Sequence, residues 1–206
     1  MTKSTIQNTD IDPPADPWAL FREWYARAEK SEPSDPNAMA LATVGADGMP
    51  SVRMVLFKGY GEDGFMFLTN RESVKGEHLQ RHPHAAICLH WKSIQRQVRA
   101  EGPVRLISDA ESDAYFATRP RESRIGAWVS QQSRALDSRA ALDRLVEDYE
   151  KKFEGKDVPR PSYWGGYRLT PLRIEFWTEG RYRLHDRILY RRAREKEPWI
   201  RERLYP

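Results

Sequence analysis

The run Phe176-Trp177-Thr178-Glu179-Gly180-Arg181-Tyr182-Arg183-Leu184-His185-Asp186-Arg187 gathers an indole, several guanidiniums and an imidazole in one short stretch. Glu179-Gly180 between two alternating segments predicts a β-hairpin closed by a tight turn. With a side-chain period of two, Tyr182, Leu184 and Asp186 fall on one face, and Arg181, Arg183, His185 and Arg187 on the other. The second face is then a row of donors without a carboxylate. Guanidinium forks match phosphate and carboxylate oxygens in pairs, so such a row is poor core and good anion-binding surface. The alternative is a solvated strand face on a basic protein.

Other segments carry compatible chemistry. Tyr115 and Arg119, four apart on a predicted helix, place a phenol and a guanidinium on one face, and Pro120, Arg121, Ser123 and Arg124 follow as a donor-rich turn. A tyrosine hydroxyl, an arginine fork and a serine hydroxyl together suit a phosphate, with helix-end decoration as the competing explanation. Arg53-Met54-Val55-Leu56-Phe57-Lys58 reads as a strand that is apolar on both faces and bracketed by cations. Its backbone amides can edge a flat ring system while Arg53 reaches a phosphate; otherwise it is a buried strand with snorkelling ends. Ser73 and Lys75 open a helix running to about Arg81, and a helix N-terminus with an added lysine is a favourable phosphate seat. Gln97, Gln132 and Ser133 add neutral donors.

The standard nucleotide and hydrolase strings are missing: the sequence has no G-x-G-x-x-G, P-loop or G-x-S-x-G. His78, His82, His84 and His90 crowd together, and His78 with His82 has the spacing of a helical metal pair. No Glu follows His78 as a zincin requires, so no metal site is expected.

The elements that must position these groups are mostly short strands. Asp16-Pro17 caps an amphipathic helix with Leu20, Phe21, Trp24, Tyr25 and Ala28 at helical spacing. Strand-like runs follow at 39–44, 51–58, 65–69, 85–91 and 95–107, separated by turn signals at Asp47-Gly48, Asp63-Gly64 and His82-Pro83-His84. Ser108-Asp109-Ala110-Glu111 is a capping box opening a helix through Arg119, and a second helix covers about 138–153. Strands resume at 163–169, 172–178, 182–190 and 199–203. Short turns between consecutive strands imply antiparallel pairing, and even strand spacing suggests a closed barrel with flanking helices.

Length suits one domain over residues 16–206, preceded by a flexible arm at 1–15. The formal charge is +4, and only nine of the 34 basic residues are lysines, a bias toward bidentate oxyanion contacts. Charge signs are interspersed, which disfavours a nucleic-acid tail. The single cysteine, Cys88, and a polar N-terminus without a signal-like stretch lead us to expect a soluble cytoplasmic protein.

Taken in order, RMVLFK at 53–58, QRQV at 95–98, YFATRPRESRIGAWVSQQS at 115–133, WGGYR at 164–168, and FW followed by RLHDR at 183–187 resemble the pyridoxine (pyridoxamine) 5′-phosphate oxidase family over nearly the whole chain. The resemblance implies a dimeric FMN-binding split β-barrel with each flavin at the subunit interface. It implies Arg53 and Lys75 at the FMN phosphate, residues 53–58 with Leu68 and Thr69 along the ring, and Gln97, Gln132 and Ser133 as further FMN contacts. Trp177 and Arg187 would reach the flavin from the partner subunit. Lys58, Tyr115, Arg119 and Ser123 match positions that hold the substrate phosphate, and Arg183 and His185 those over the pyridine ring. The implied reaction is hydride transfer from the 4′ carbon of pyridoxine or pyridoxamine 5′-phosphate to FMN, with O2 reoxidising the flavin to give hydrogen peroxide. A related flavin oxidase of phenazine type, and a non-enzymatic binder of RNA, are the rival expectations. Two departures stand out: Val74 occupies the place of the family's usual arginine, with Arg71 as a candidate substitute, and Met1 to Asp12 lack the family's substrate-closing segment.

Overall fold

The computed structural model describes residues 13–206. Helix α1 (Pro17–Ser31) starts at Asp16, whose carboxylate accepts from the Trp18 and Ala19 amides. Its stripe of Trp18, Leu20, Phe21, Trp24 and Ala28 is buried in one core with the strands, where Phe21 meets Tyr60 at 4.8 Å and Phe65 at 5.0 Å, both edge-on.

Six strands close the barrel. These are β1 (Ala38–Val44), β2 (Pro50–Gly61), β3 (Gly64–Asn70), β4 (His84–Trp91), β5 (Arg96–Leu106) and β6 (Trp164–Leu169). Their order is β4-β1-β2-β3-β6-β5, and β5 pairs back onto β4, every pair being antiparallel. Strands β7 (Arg173–Thr178), β8 (Asp186–Arg191) and β9 (Ile200–Leu204) continue the sheet outward from β5 beyond the barrel. The split lies within β5: Arg96–Glu101 pairs with β7, and Val104–Leu106 with β6. At the changeover the chain can only be glycine, since a Cβ on Gly102 would lie 2.1 Å from the Thr170 carbonyl oxygen. The expected antiparallel split barrel is the observed one.

Four helices complete the chain: α2 (Val74–Arg81), α3 (Asp109–Ala117), α4 (Arg121–Val129) and α5 (Arg139–Lys152). The capping box at Ser108 and Glu111 forms as expected. Two local expectations change. The α3 helix stops at Ala117 rather than Arg119, and the supposed donor-rich turn at Pro120 to Arg124 is the first turn of α4. Pro120, which cannot continue α3, stands at the N-cap of the new helix.

The hairpin at the C-terminal end also differs. Register pairs Thr178 with Asp186, so residues 179–185 form a seven-residue loop with a single 3-10 turn at Arg181–Arg183. Tyr182 and Arg183 sit at φ 57 and 65, consecutive left-handed residues that break the extended backbone. Arg181, Arg183 and His185 therefore do not share a strand face with Arg187. Of the expected N-terminal arm, residues 1–12 lie outside the described residues, while Pro13 and Pro14 are tied down by Arg201 and by the Tyr190 hydroxyl. No described helix is long and apolar enough to cross a membrane.

Candidate functional site

A cleft of about 550 Å³ opens between β2, β3 and the α3–α4 corner. Arg53, Met54, Val55, Leu56 and Lys58 line it from β2, and Leu68, Thr69 and Asn70 from β3. Lys75 and Gln132 close one end, while Tyr115, Arg119, Ser123 and Trp164 form another part of the wall. Four cations face this space, and among the described residues no carboxylate lines it.

Arg53 is held by neutral oxygens. Its Nη1 donates to the Leu41 and Ser51 carbonyls, each at 3.1 Å, and to Thr43 Oγ1 at 2.7 Å; Nη2 donates to Ser51 Oγ at 2.7 Å. His78 Nδ1 shares a 3.1 Å hydrogen bond with the same Thr43 hydroxyl. Among the described residues no group of three or more His, Cys, Asp or Glu is arranged to hold a metal ion.

Lys75 is buried at 8 % exposure in the first turn of α2. This helix start can lie so close because Gly76 has no Cβ, which would sit 2.1 Å from the Arg71 carbonyl oxygen. The ammonium donates to Thr69 Oγ1 and Ser73 Oγ, both at 3.1 Å, and to Gln132 Oε1 at 2.7 Å. Burial, reinforced by the charge of Arg53, lowers its pKa to about 8. Two adjacent cations with only neutral acceptors, at a helix N-terminus, make a seat for an anion.

The Arg119 guanidinium stands at the corner between α3 and α4, 4.7 Å from the Trp164 ring centre. Its Nη1 is buried without a hydrogen-bond partner, and burial lowers its pKa. Tyr115 stacks on the other side of this cluster, 6.3 Å from Trp164 at 16°. Tyr115 and Arg119 thus come together as their spacing suggested, with Trp164 against both. Ser123 lies in the first turn of α4, and Lys58 is exposed near the end of β2.

The remaining expected site residues lie away from this cleft. Phe57 points into the core against Tyr25 and Tyr60. Ser133, at φ 74, accepts the Val74 amide at 3.3 Å. Gln97 stands opposite Trp177 in the β5–β7 register. Trp177 touches the His185 ring at 4.6 Å, and the Gly180 amide donates to His185 Nδ1 at 3.2 Å, so the neutral imidazole carries its proton on Nε2. Arg187 contradicts the expected carboxylate-free row. Its Nε and Nη2 grip buried Glu175, each at 3.0 Å, and its Nη1 donates to the Tyr205 carbonyl. Arg183 lies in the 179–185 loop, outside the cleft wall.

Residues 26–153 match the model for pyridoxamine 5′-phosphate oxidase, and residues 164–206 that for the pyridoxine 5′-phosphate oxidase C-terminal dimerisation region. The chain belongs to the pyridoxamine 5′-phosphate oxidase family. It is 54 % identical over 204 residues to the pyridoxine/pyridoxamine 5′-phosphate oxidase of Brucella abortus strain 2308, covering 99 % of this chain and 98 % of that protein. The Brucella canis protein of the same name is also 54 % identical, over 98 % of this chain and all of its own. Among solved structures, PhzG from Burkholderia lata 383 in complex with tetrahydrophenazine-1-carboxylic acid superposes with a TM-score of 0.88, at 32 % identity and 95 % coverage of both chains. A pyridoxamine 5′-phosphate oxidase-related, FMN binding protein from Nostoc punctiforme shares the fold, with a TM-score of 0.73 at 21 % identity over 93 % of this chain and 98 % of its own.

Arg71, the candidate substitute for a cation at position 74, is not among the residues lining the cleft, and its guanidinium donates to the Ser162 carbonyl. Arg134 instead crosses the start of α2, bonding the Glu72 carbonyl and Glu77. Sequence reasoning passed over Asn70, Ser130 and Trp164, which also line the cleft. Asn70 and Ser130 bond one another, side chain to carbonyl, at 3.3 Å, a pairing distant in sequence and without a local signature. Trp164 stood in the WGGYR string, where its type alone gave no hint of a partner.

Proposed function

We propose that the protein is a pyridoxine/pyridoxamine 5′-phosphate oxidase that uses FMN and O2 to make pyridoxal 5′-phosphate, acting as a homodimer in the cytoplasm. The observation that carries this reading is a cleft with four cations and no carboxylate among the described residues, its buried cations held by neutral groups. The residues fit FMN: Arg53 and Lys75 would hold its phosphate, and the Met54–Leu56 segment and Leu68 would flank its ring. When bound, FMN supplies the two-electron acceptor that side chains lack.

The chain's own task is binding and orientation. Lys58, Tyr115, Arg119 and Ser123 would grip the substrate phosphate by charge-assisted hydrogen bonds, fixing the ring at the far end. Trp177, Arg183, His185 and Arg187 of a second copy would complete the site. The dimerisation-region match supports this, as do Val52 and Met54, apolar residues of β2 left 67 % and 64 % exposed. In that arrangement Arg183 orients the pyridine ring, and His185 offers a proton-bearing Nε2 because the Gly180 amide occupies Nδ1. The 54 % identity to proteins named for this activity supports the substrate.

The test is a visible spectrum of the purified protein before and after anaerobic addition of pyridoxine 5′-phosphate. A yellow chromophore that bleaches, then returns with air as hydrogen peroxide is released, is the expected result; an unreactive chromophore overturns the substrate. The likeness to PhzG favours one rival, a flavin oxidase of another aromatic ring. It predicts equal turnover of phosphorylated and unphosphorylated pyridoxine, whereas the cationic Arg119 end predicts strong preference for the ester.

A further inference from the structure

The Arg119 end of the cleft rests on an aromatic floor. Trp164, the first residue of β6, is 8 % exposed. The guanidinium carbon of Arg119 lies 4.7 Å from its ring centre, Tyr115 stacks on it at 6.3 Å, and Phe116 meets it edge-on at 5.0 Å. Arg119 stands just past the last residue of α3, its amide still bonded to the Phe116 carbonyl at 3.1 Å, so the chain keeps it on the Tyr115 side while the indole sets where its guanidinium lies.

Trp164 is itself fixed. Arg160 donates from Nη1 to the Trp164 carbonyl at 2.6 Å, and its Nε and Nη2 reach Asp113 and Asp109 at 2.6 and 2.9 Å. The start of β6 is thereby clamped to the opening turns of the helix that carries Tyr115. With its guanidinium carbon over the indole, Arg119 is held within reach of the cleft, and its Nη1 is buried there without a hydrogen-bond partner.

We infer that Trp164 is a positioning residue for phosphate recognition, holding the Arg119 fork and the Tyr115 ring so that their polar atoms converge before substrate arrives. This rests on the reading of Lys58, Tyr115, Arg119 and Ser123 as the substrate-phosphate seat. Without the indole, the guanidinium regains rotamer freedom and loses the closer of its two cation–π contacts, keeping only that to Phe116 at 5.5 Å, and the cost falls on binding of the ester rather than on chemistry.

The experiment compares Trp164→Leu, Trp164→Phe and Arg119→Ala in steady-state turnover of pyridoxine 5′-phosphate, with the FMN dissociation constant measured by flavin fluorescence for each. Trp164→Leu is expected to raise KM about 5- to 20-fold, with kcat within about twofold and FMN affinity unchanged, while Trp164→Phe recovers most of the loss. Should the leucine variant not fold, Trp164→Met supplies the same comparison. An unchanged KM in Arg119→Ala overturns the phosphate seat itself. A raised KM there, with Trp164→Leu unaffected or Trp164→Phe no better than leucine, overturns the role of Trp164 alone. Parallel losses of KM, kcat and FMN affinity in the Trp164 variants mark general structural damage and equally defeat the inference.

Discussion

Removing the Lys75 charge tests the anion seat most directly. Its pKa stands at about 8 against an ordinary 10.5, because burial and the neighbouring Arg53 disfavour the ammonium. At about 1.4 kcal/mol per pH unit, keeping it charged in the ligand-free protein costs on the order of 3 kcal/mol. An arriving phosphate dianion returns part of that cost, so the bound state has the higher Lys75 pKa. FMN affinity should therefore be flat near pH 7 and weaken by up to about tenfold per unit once pH passes about 8, where binding must take up a proton. Lys75→Met should bind FMN about 10- to 100-fold more weakly at pH 7, for loss of a charge-assisted contact, and show no such slope. The linkage for folding has the opposite sense. Between pH 8 and 10.5 the unfolded chain binds more protons than the native one, so the ligand-free wild type gains stability with rising pH relative to Lys75→Met. Fluorescence titration of FMN into apoprotein from pH 7 to 9.5 measures the first effect, and thermal melts the second. A wild-type affinity that stays constant across that range, or the same slope in Lys75→Met, refutes the reasoning.

Three further outcomes follow from other residues. Glu175, 7 % exposed at its side chain, neutralises Arg187 at 3.0 Å and Arg99 at 3.3 Å, so Glu175→Ala should lower stability by about 1–3 kcal/mol in denaturant titrations, chiefly by leaving Arg187 without a carboxylate while Arg99 keeps Glu101. Gly102→Ala should cost about 2–4 kcal/mol or prevent folding, because the new methyl meets the Thr170 carbonyl where β5 changes partners; a neutral effect on the urea midpoint would show that the changeover can relax. Arg183→Ala should cut kcat well beyond its effect on FMN retention, and equal losses in both would remove it from the substrate side.

The barrel was legible because local signals agreed with the global fold. Asp16-Pro17 and Ser108 with Glu111 made the caps their side chains promised, and alternating runs bounded by Gly and Pro became the expected strands. The failures have a common cause, which is tertiary contact between segments remote in sequence. The α3–α4 corner looked like a turn because Pro120 interrupts the pattern, yet packing of Ile125 and Val129 with Phe153 and Val158 gives α4 a core of its own. The C-terminal hairpin looked tight because Glu179-Gly180 is a turn pair. The Thr178–Asp186 register and two left-handed residues instead make a broad loop. Of the expected site, β2, Lys75, Tyr115, Arg119 and Ser123 converge on one cleft, whereas Trp177, Arg183, His185 and Arg187 belong to β7, β8 and the loop between them.

The arginine excess, uninterpretable from composition, divides by what each guanidinium touches. Arg160 is consumed by Asp109 and Asp113 and Arg191 by Glu202, and these pairs tie elements together, while Arg187 is steadied by Glu175. Among the described residues Arg53 and Arg119 pair with no carboxylate, only with carbonyls, hydroxyls or aromatic faces, and both have pKa values lowered by burial. Burying uncompensated cations works against folding, because each loses hydration that its neutral neighbours replace only in part. Arg96 and Arg192 carry a similar burial penalty elsewhere, but at Arg53, Lys75 and Arg119 the loss falls in a cleft where an incoming phosphate would remove it. Affinity for the anion and weakness of the empty protein are thus the same quantity seen from two sides, and a ligand that binds only the folded state raises stability by RT ln(1 + [L]/Kd). Inorganic phosphate alone should accordingly raise the melting temperature of the ligand-free protein. It should do so far less in a variant lacking both Lys75 and Arg119 charges, whose empty form begins from a higher stability.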